Sequence, residues 1–227
     1  MDDAGSLRAA LAGCRGVFSV QNYWERGNDE AAQGRRVADL AKEARVELLV
    51  QASVARADDH PDLAHFACKW EVEQHLRGLD LPSSILRPVY FMDNLVHPSF
   101  GRFHWSMIRH FVGEGRLQMI ACADIGAVAA AAFDDPTAYA GRTITLAGDD
   151  LGFTGARDAY VAAFGAPPRP LPIPGLLLES MRWWQVEVWK MFNWYREPVF
   201  NVDISALRLE QPGLRDLKSF FAEHVAG

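Results

Sequence analysis

The chain has 227 residues, 49% of them hydrophobic and 23% charged, which excludes a disordered chain and leaves enough apolar material for a sizeable core in one folding unit. Its net charge is -6 and its basic residues are scattered, Arg35-Arg36 sitting among Asp29, Glu30 and Asp39, so direct nucleic-acid binding, which needs a concentrated basic face, is disfavoured. No apolar run reaches the ~18 residues that span a bilayer, and the polar, acidic opening Met1-Asp2-Asp3-Ala4-Gly5 does not read as a secretory signal, so a cytoplasmic chain without membrane contact is expected.

In chain order, residues 6 to 12 read as a short helix, with Ser6 as N-cap and Gly13 as its stop. An apolar strand follows over 16 to 20. Residues 29 to 45 place Val37, Leu40, Ala41 and Ala44 at i, i+3, i+4 and i+7, the stripe of an amphipathic helix. Residues 46 to 50 form a second strand. A helix over 62 to 77 sets Phe66 and Trp70 one turn apart, continues its stripe through Val72, Leu76 and Leu79, and closes at Gly78. A third strand over 83 to 86 is closed by Arg87-Pro88. Strands separated by helices of this length call for right-handed crossovers and a parallel sheet. The predicted fold class is α/β, doubly wound and mostly parallel.

The second half is less regular. Residues 117 to 121 and 142 to 146 read as strands on either side of an alanine-rich helix over 125 to 133, and 154 to 164 as another helix. The proline-rich stretch 166 to 174 cannot be regular helix, because proline removes donors and bars the helical region before it. A long aromatic helix is predicted over 176 to 195, carrying Trp183, Trp184, Trp189 and Trp194. Helices over 204 to 209 and 214 to 224 close the chain. One folding unit is expected, divided as a sheet domain over 1 to 150 and a smaller, mainly helical subdomain over 151 to 227. Cys14, Cys68 and Cys122 are far apart and read as reduced thiols, with no metal site or disulfide framework. No P-loop, nucleophile elbow, H-E-x-x-H or zinc spacing is present, which removes kinase, serine hydrolase and metalloenzyme classes.

Four segments in order carry a resemblance. They are Gly16-Val17-Phe18-Ser19-Val20-Gln21-Asn22-Tyr23-Trp24-Glu25 with Gln33-Gly34, then Ala52-Ser53-Val54 with His65-Phe66-Ala67-Cys68-Lys69-Trp70-Glu71-Val72-Glu73. Leu86-Arg87-Pro88-Val89-Tyr90-Phe91-Met92-Asp93-Asn94 and Cys122-Ala123-Asp124-Ile125-Gly126 follow, with Asp203-Ile204-Ser205-Ala206-Leu207-Arg208 and Pro212-Gly213-Leu214 closing. Together they resemble the NmrA-like family, a branch of atypical short-chain dehydrogenases, over nearly the whole chain. The resemblance implies a Rossmann-like domain that binds NADP(H) and a smaller C-terminal region forming a cleft for a small molecule. Members include redox-sensing regulators and reductases of quinone or carbonyl compounds, and fold alone does not choose between them. The alternative is a non-catalytic binding or interaction module derived from that family.

In the family, a glycine-rich turn after the first strand presents backbone amides and a helix N-terminus to the pyrophosphate. This chain reads as beginning at the equivalent of the helix before the family's fourth strand, so an N-terminally truncated domain without that turn is expected. Gly148-Asp149-Asp150-Leu151-Gly152-Phe153-Thr154-Gly155 follows a strand and opens a helix, the context of a phosphate turn. Its spacing is not the dinucleotide form, and Asp149 and Asp150 would set carboxylates beside phosphate; a plain strand–helix turn is the competing reading.

His65 and Lys69, four residues apart, share one helix face. In typical short-chain dehydrogenases this spacing holds a proton-donating Tyr and a Lys that binds the ribose. The resemblance therefore makes Lys69 a nicotinamide-ribose contact and puts His65 in the Tyr position, where a histidine could relay a proton. The plain readings are a solvated helix lysine and a helix-start histidine near Asp62. Ser53 matches the family's site serine and could bind a substrate oxygen, or it could cap a turn. Phe18, Ser19 and Val20 end a strand at the edge that abuts the dinucleotide in the family. Pro88, Val89, Tyr90 and Phe91 resemble the segment passing the nicotinamide, with Asn94 beyond it. Core packing is the plain reading for the apolar ones. The tryptophan-rich segment reads as core packing and a lid over the cleft, with a protein–protein patch as the alternative, since exposed Trp clusters mark interfaces. The 16 to 20 edge, apolar and without Lys or Pro, is expected to be covered by pairing with another subunit, giving a homo-oligomer, or by a rearranged segment.

Overall fold

The computed structural model describes residues 2–24, 29–59 and 62–226. The chain divides into two compact units: Met1–Pro88 with Gly126–Thr145, and Val89–Ile125 with Leu146–Gly227. In chain order the elements are α1 (Ala4–Leu11), β1 (Gly16–Ser19), α2 (Glu30–Glu43), β2 (Leu48–Ala52), α3 (Ala64–Arg77), β3 (Ser83–Pro88), β4 (Tyr90–Phe91) and α4 (Gly101–Met107). Then come β5 (Leu117–Ile120), α5 (Cys122–Asp134), α6 (Pro136–Tyr139), β6 (Thr143–Leu146), β7 (Asp149–Leu151) and α7 (Phe153–Phe164). The last are α8 (Gly175–Ser180), α9 (Val186–Trp194), α10 (Ile204–Glu210) and α11 (Leu217–Ala226).

The first unit holds a four-stranded sheet in the order β1-β2-β3-β6. β1, β2 and β3 run parallel, with Gly16 opposite Leu48 and Leu49 opposite Ser83. All five residues of β2 are buried, the near-continuous apolar run expected of a central strand covered on both faces. The helix stripes read from the sequence are the core: Val37, Ala38 and Ala41 of α2 meet Val72 and Leu76 of α3, with Leu49 beneath. Gly34 lets the two helices approach, because a Cβ there would come within 2.4 Å of Val72 Cγ2. At the start of α1 the cap is Asp3, not Ser6: its carboxylate accepts from the Gly5 N–H, which moves the helix start earlier. Gly13 follows the helix with φ of 79°, the left-handed stop that glycine favours.

The second unit holds a three-stranded sheet, β4-β5-β7, in which β5 runs parallel to β4 and antiparallel to β7. The strands on either side of the alanine-rich helix therefore lie in different sheets. The Gly148–Gly155 segment is not an open phosphate turn. Asp149 and Asp150 lie in a strand, Asp150 pairs with Arg116 at 3.0 Å, and Asp149 accepts the Leu217 N–H at 2.9 Å. Gly148 and Gly152 lie against backbone oxygens, Arg215 O and Gly115 O, where a Cβ would clash at 2.2 and 2.4 Å.

The aromatic helix predicted over 176 to 195 is broken between α8 and α9, and Glu179 shows why. Trp189 Nε1 donates to Glu179 Oε2 at 3.1 Å. Ten residues of continuous helix would separate the two by ~15 Å along the axis. His110 Nε2 lies 2.8 Å from the same carboxylate and Arg196 also reaches it. Burial alone would raise the Glu179 pKa, but hydrogen bonds from His110 and Trp189 and the charge of Arg196 lower it. No helix among the described residues is long and apolar enough to cross a membrane.

Candidate functional site

In a parallel α/β sheet, ligands gather beyond the carboxyl ends of the strands, where each following helix begins. In the first unit that edge carries Ser19 at the end of β1, Ser53 just past β2, and the opening turns of α2 and α3 with Glu30, His65 and Lys69.

Lys69 is not a solvated helix lysine. Its side chain is 17% exposed and its Nζ donates to Glu30 Oε1 at 2.6 Å. Glu30 itself is 2% exposed, and its second oxygen, Oε2, is buried without a hydrogen-bond partner. The neighbouring Cys68 thiol is pushed up by burial and then by the charges of Glu30, Glu71 and Asp29, so it stays protonated at neutral pH. His65 is buried against Phe66, with the Tyr23 and Trp24 rings 5.7 and 5.3 Å from its own.

Ser53 donates to Glu73 Oε1 at 2.5 Å. Glu73 is wholly buried and also takes Arg87 Nε at 2.9 Å, Arg87 Nη2 at 2.7 Å and Arg77 Nη2 at 2.8 Å. Arg87 reaches Asp58 at 3.2 Å with its remaining Nη1, and Trp70 lies under Arg77 and Arg87 at 4.8 and 5.7 Å. The Ser53 hydroxyl thus serves a buried, charge-balanced network. Ser19 accepts from Gln21 Nε2 at 2.8 Å, and Gln51 Nε2 donates to Gln21 Oε1 at 3.0 Å. Pro88 ends β3, buried. Phe18 and Val20 are 44% and 49% exposed, so neither is a core residue.

Val89, Tyr90, Phe91 and Asn94 belong to the second unit. Val89 and Tyr90 are buried and Phe91 is exposed. The Tyr90 hydroxyl lies 2.6 Å from His104 Nδ1, and Phe192 and Tyr195 complete an aromatic cluster around it. Burial pushes the Tyr90 pKa well up, nearby Tyr195 adds to this, and a hydrogen bond to Asn94 opposes it. Burial also lowers His104 from 6.5 to about 4, helped by His97. The neutral imidazole accepts at Nδ1 and Tyr90 is the donor.

This has a pH consequence. The unfolded chain binds a proton at His104 near pH 6.5 and the folded chain only near pH 4. Stability present above pH 6.5 is lost as pH falls toward 4, by about 3 kcal/mol. Denaturant titrations at pH 7 and pH 4.5 should show this loss, and a His104→Gln variant should flatten that part of the profile.

The sequence missed Glu30 and Glu73 as site residues. The available signal for Glu73 was its place four residues beyond Lys69 on the same helix face. Glu30 read as one of the acids scattered around Arg35-Arg36.

The NmrA-like family model matches residues 1–212. Among solved structures, the chain is similar to NmrA, a negative transcriptional regulator, in complex with NADP, at 20% identity and a TM-score of 0.72, covering 99% of this chain and 78% of that one. It is similar to the Citrobacter sp. triphenylmethane reductase complexed with NADP(H), at 16% identity and a TM-score of 0.74, covering 99% and 81%. It is also similar to an NADPH-dependent quinone oxidoreductase from Escherichia coli, at 18% identity and a TM-score of 0.72, covering 99% and 80%. At these identities the likeness to solved structures establishes the fold, and the family match establishes the lineage. The chain belongs to the NmrA-like family.

Proposed function

We propose that this chain is an NAD(P)(H)-binding sensor of the NmrA-like family, reading dinucleotide occupancy without turning over a substrate of its own. The observation that carries this reading is the engagement of each polar candidate at the carboxyl edge of the first unit. Ser53 is bound to Glu73, Lys69 to Glu30, and His65 is packed among rings. A general acid must reach its acceptor within hydrogen-bond distance, whereas the Ser53 hydroxyl is spent on Glu73 and His65 is buried. Binding is a lesser demand. The Lys69 ammonium has three donors, of which Glu30 takes one, and Glu30 Oε2 beside it lacks a donor. The remaining Lys69 donors fit the hydroxyls of a ribose.

The phosphate end fits less well. Residues 53–59 contain no glycine, and Arg56 and Arg87 on this side are held by Asp59 and by Glu73 with Asp58. A micromolar rather than nanomolar dissociation constant is therefore expected. A bound NADPH would supply a hydride; the chain's part is to hold the ribose through Lys69 and keep that edge dry with His65 and Phe66.

Calorimetric titration with NADPH and NADH, paired with a quinone-dependent NADPH oxidation assay, tests the proposal. Saturable binding with no quinone-dependent oxidation is expected. Quinone-dependent oxidation lost in Lys69→Met would make the protein a reductase, and no dinucleotide binding at all would make it an interaction module.

One observation favours an added role in self-association. Among the described residues β1 lies at the end of the four-strand order, with Phe18 within it and Val20 just past it exposed. An unpaired apolar edge is a template for another strand, and a charge placed on it blocks pairing. Light scattering behind a sizing column should give twice the chain mass for the wild type and the single-chain mass for Phe18→Lys. A wild-type monomer at tens of micromolar would remove this role.

A further inference from the structure

The second unit contains a cavity of about 500 Å³ that takes no part in the reading above. Its floor is Trp105, buried and fixed by donation of its Nε1–H to Leu95 O at 3.1 Å. Tyr160 stands at 5.6 Å from the Trp105 ring, edge to face, and stacks on Phe164 at 4.2 Å with 23° between the planes. Phe164, the last residue of α7, keeps part of its ring uncovered. An apolar floor and one aromatic wall are thus held in place by the core and left open on one side.

The formally charged side chains lining this cavity, Arg102 and Arg169, share one sign. Arg102, Arg169 and His97 line it, and no Asp or Glu does. Several arginines elsewhere end on carboxylates, such as Arg8 on Glu43, Arg87 on Glu73, Arg116 on Asp150 and Arg215 on Asp124. Arg102 instead spends its Nε on the carbonyl of Arg169 at 2.8 Å. That bond pins the proline-rich loop against α4 and leaves the Nη groups of Arg102 without a hydrogen-bond partner among the described residues. Neither Arg102 nor Arg169 forms an ion pair among the described residues. His97 Nδ1 accepts from the backbone N–H groups of Ser99 and Phe100 at 3.2 and 3.3 Å. Its neutral form therefore carries the proton on Nε2, a further donor.

A concave, aromatic-floored site with a few convergent donors is the usual form of a small-molecule pocket, and its volume falls in the usual range of ~300–1,000 Å³. Unpaired guanidinium groups select a carboxylate, which they bind by two parallel hydrogen bonds. We propose that this cavity is a binding site for a small aromatic carboxylate, its ring against the partly uncovered Tyr160 and Phe164 and its carboxylate between Arg102 and Arg169. In a chain of net charge -6, a cavity lined by two arginines and no carboxylate favours an anion against the overall field.

The test uses the full chain and two probes, 1-naphthoate and its neutral counterpart 1-naphthalenemethanol, followed by calorimetry. Naphthoate should bind saturably, and the alcohol at least about tenfold more weakly, since a charge-assisted hydrogen bond is worth that much. The double variant Arg102→Gln/Arg169→Gln should lose about tenfold for naphthoate and leave the alcohol unchanged. Ala166→Trp, which fills the cavity from its rim, should abolish binding of both. These three positions are exposed, so the fold should survive each change, with thermal unfolding as the control. Absence of saturable naphthoate binding, equal affinity for the two probes, or full binding by the double variant or by Ala166→Trp would each overturn the proposal.

Discussion

Replacing Glu73 by glutamine is expected to destabilise the protein by about 3–5 kcal/mol, because it removes the charge that two guanidinium groups are folded around. The carboxylate is wholly buried and receives Arg87 through two nitrogens and Arg77 through one. Glutamine keeps the shape but cannot accept those three donors and the Ser53 hydroxyl as well. Arg87, whose side chain is 11% exposed, would be left with Asp58, whose own side chain is 40% exposed and a weaker, hydrated partner. Two controls sort the causes. Arg77→Ala removes a guanidinium with a 39% exposed side chain and should cost under about 1 kcal/mol. Ser53→Ala removes one neutral donor and should cost about 1 kcal/mol, with dinucleotide affinity unchanged. Urea midpoints for the three variants decide the matter. A Glu73→Gln variant as stable as wild type would mean that the network is incidental to folding.

Lys69→Met should have the second largest effect, and on two readouts at once. Taking away the ammonium leaves Glu30 buried and uncompensated, at a cost of about 3 kcal/mol. It also removes the group proposed to hold the ribose, so NADPH binding should fall at least about tenfold. The double variant Lys69→Met/Glu30→Gln separates the two. Neutralising the orphaned carboxylate should restore at least about half of the lost stability, as expected for contacting partners, while NADPH affinity stays low. If affinity returned together with stability, Lys69 would act only through the fold and the ribose contact would be withdrawn.

Much of the architecture was legible in the sequence because it follows from local rules. The stripe Val37, Leu40, Ala41 of α2 and the run Phe66, Val72, Leu76 of α3 are buried where their periodicity placed them. Gly13 and Gly78 stop helices, and the prolines of 166–174 interrupt helical structure. The errors have one cause. Ser6 has a residue type that favours a cap, whereas Asp3 holds the Gly5 N–H. The aromatic stretch 176–195 predicts one helix, yet Glu179 draws Trp189 back across the break.

The candidate site divides along the same line. The sequence by itself determined that His65 and Lys69 share one face of a helix at the carboxyl edge of a parallel sheet, and that the chain resembles one family. Helical spacing and strand–helix alternation are properties of neighbours along the chain, so they can be read one residue at a time. Only the tertiary structure decided what those residues do there. Lys69 meets Glu30 across a sequence separation of 39, and Ser53 meets Glu73 across 20. Burial sets the cost of leaving either carboxylate alone, and neither distance nor burial is written in local order.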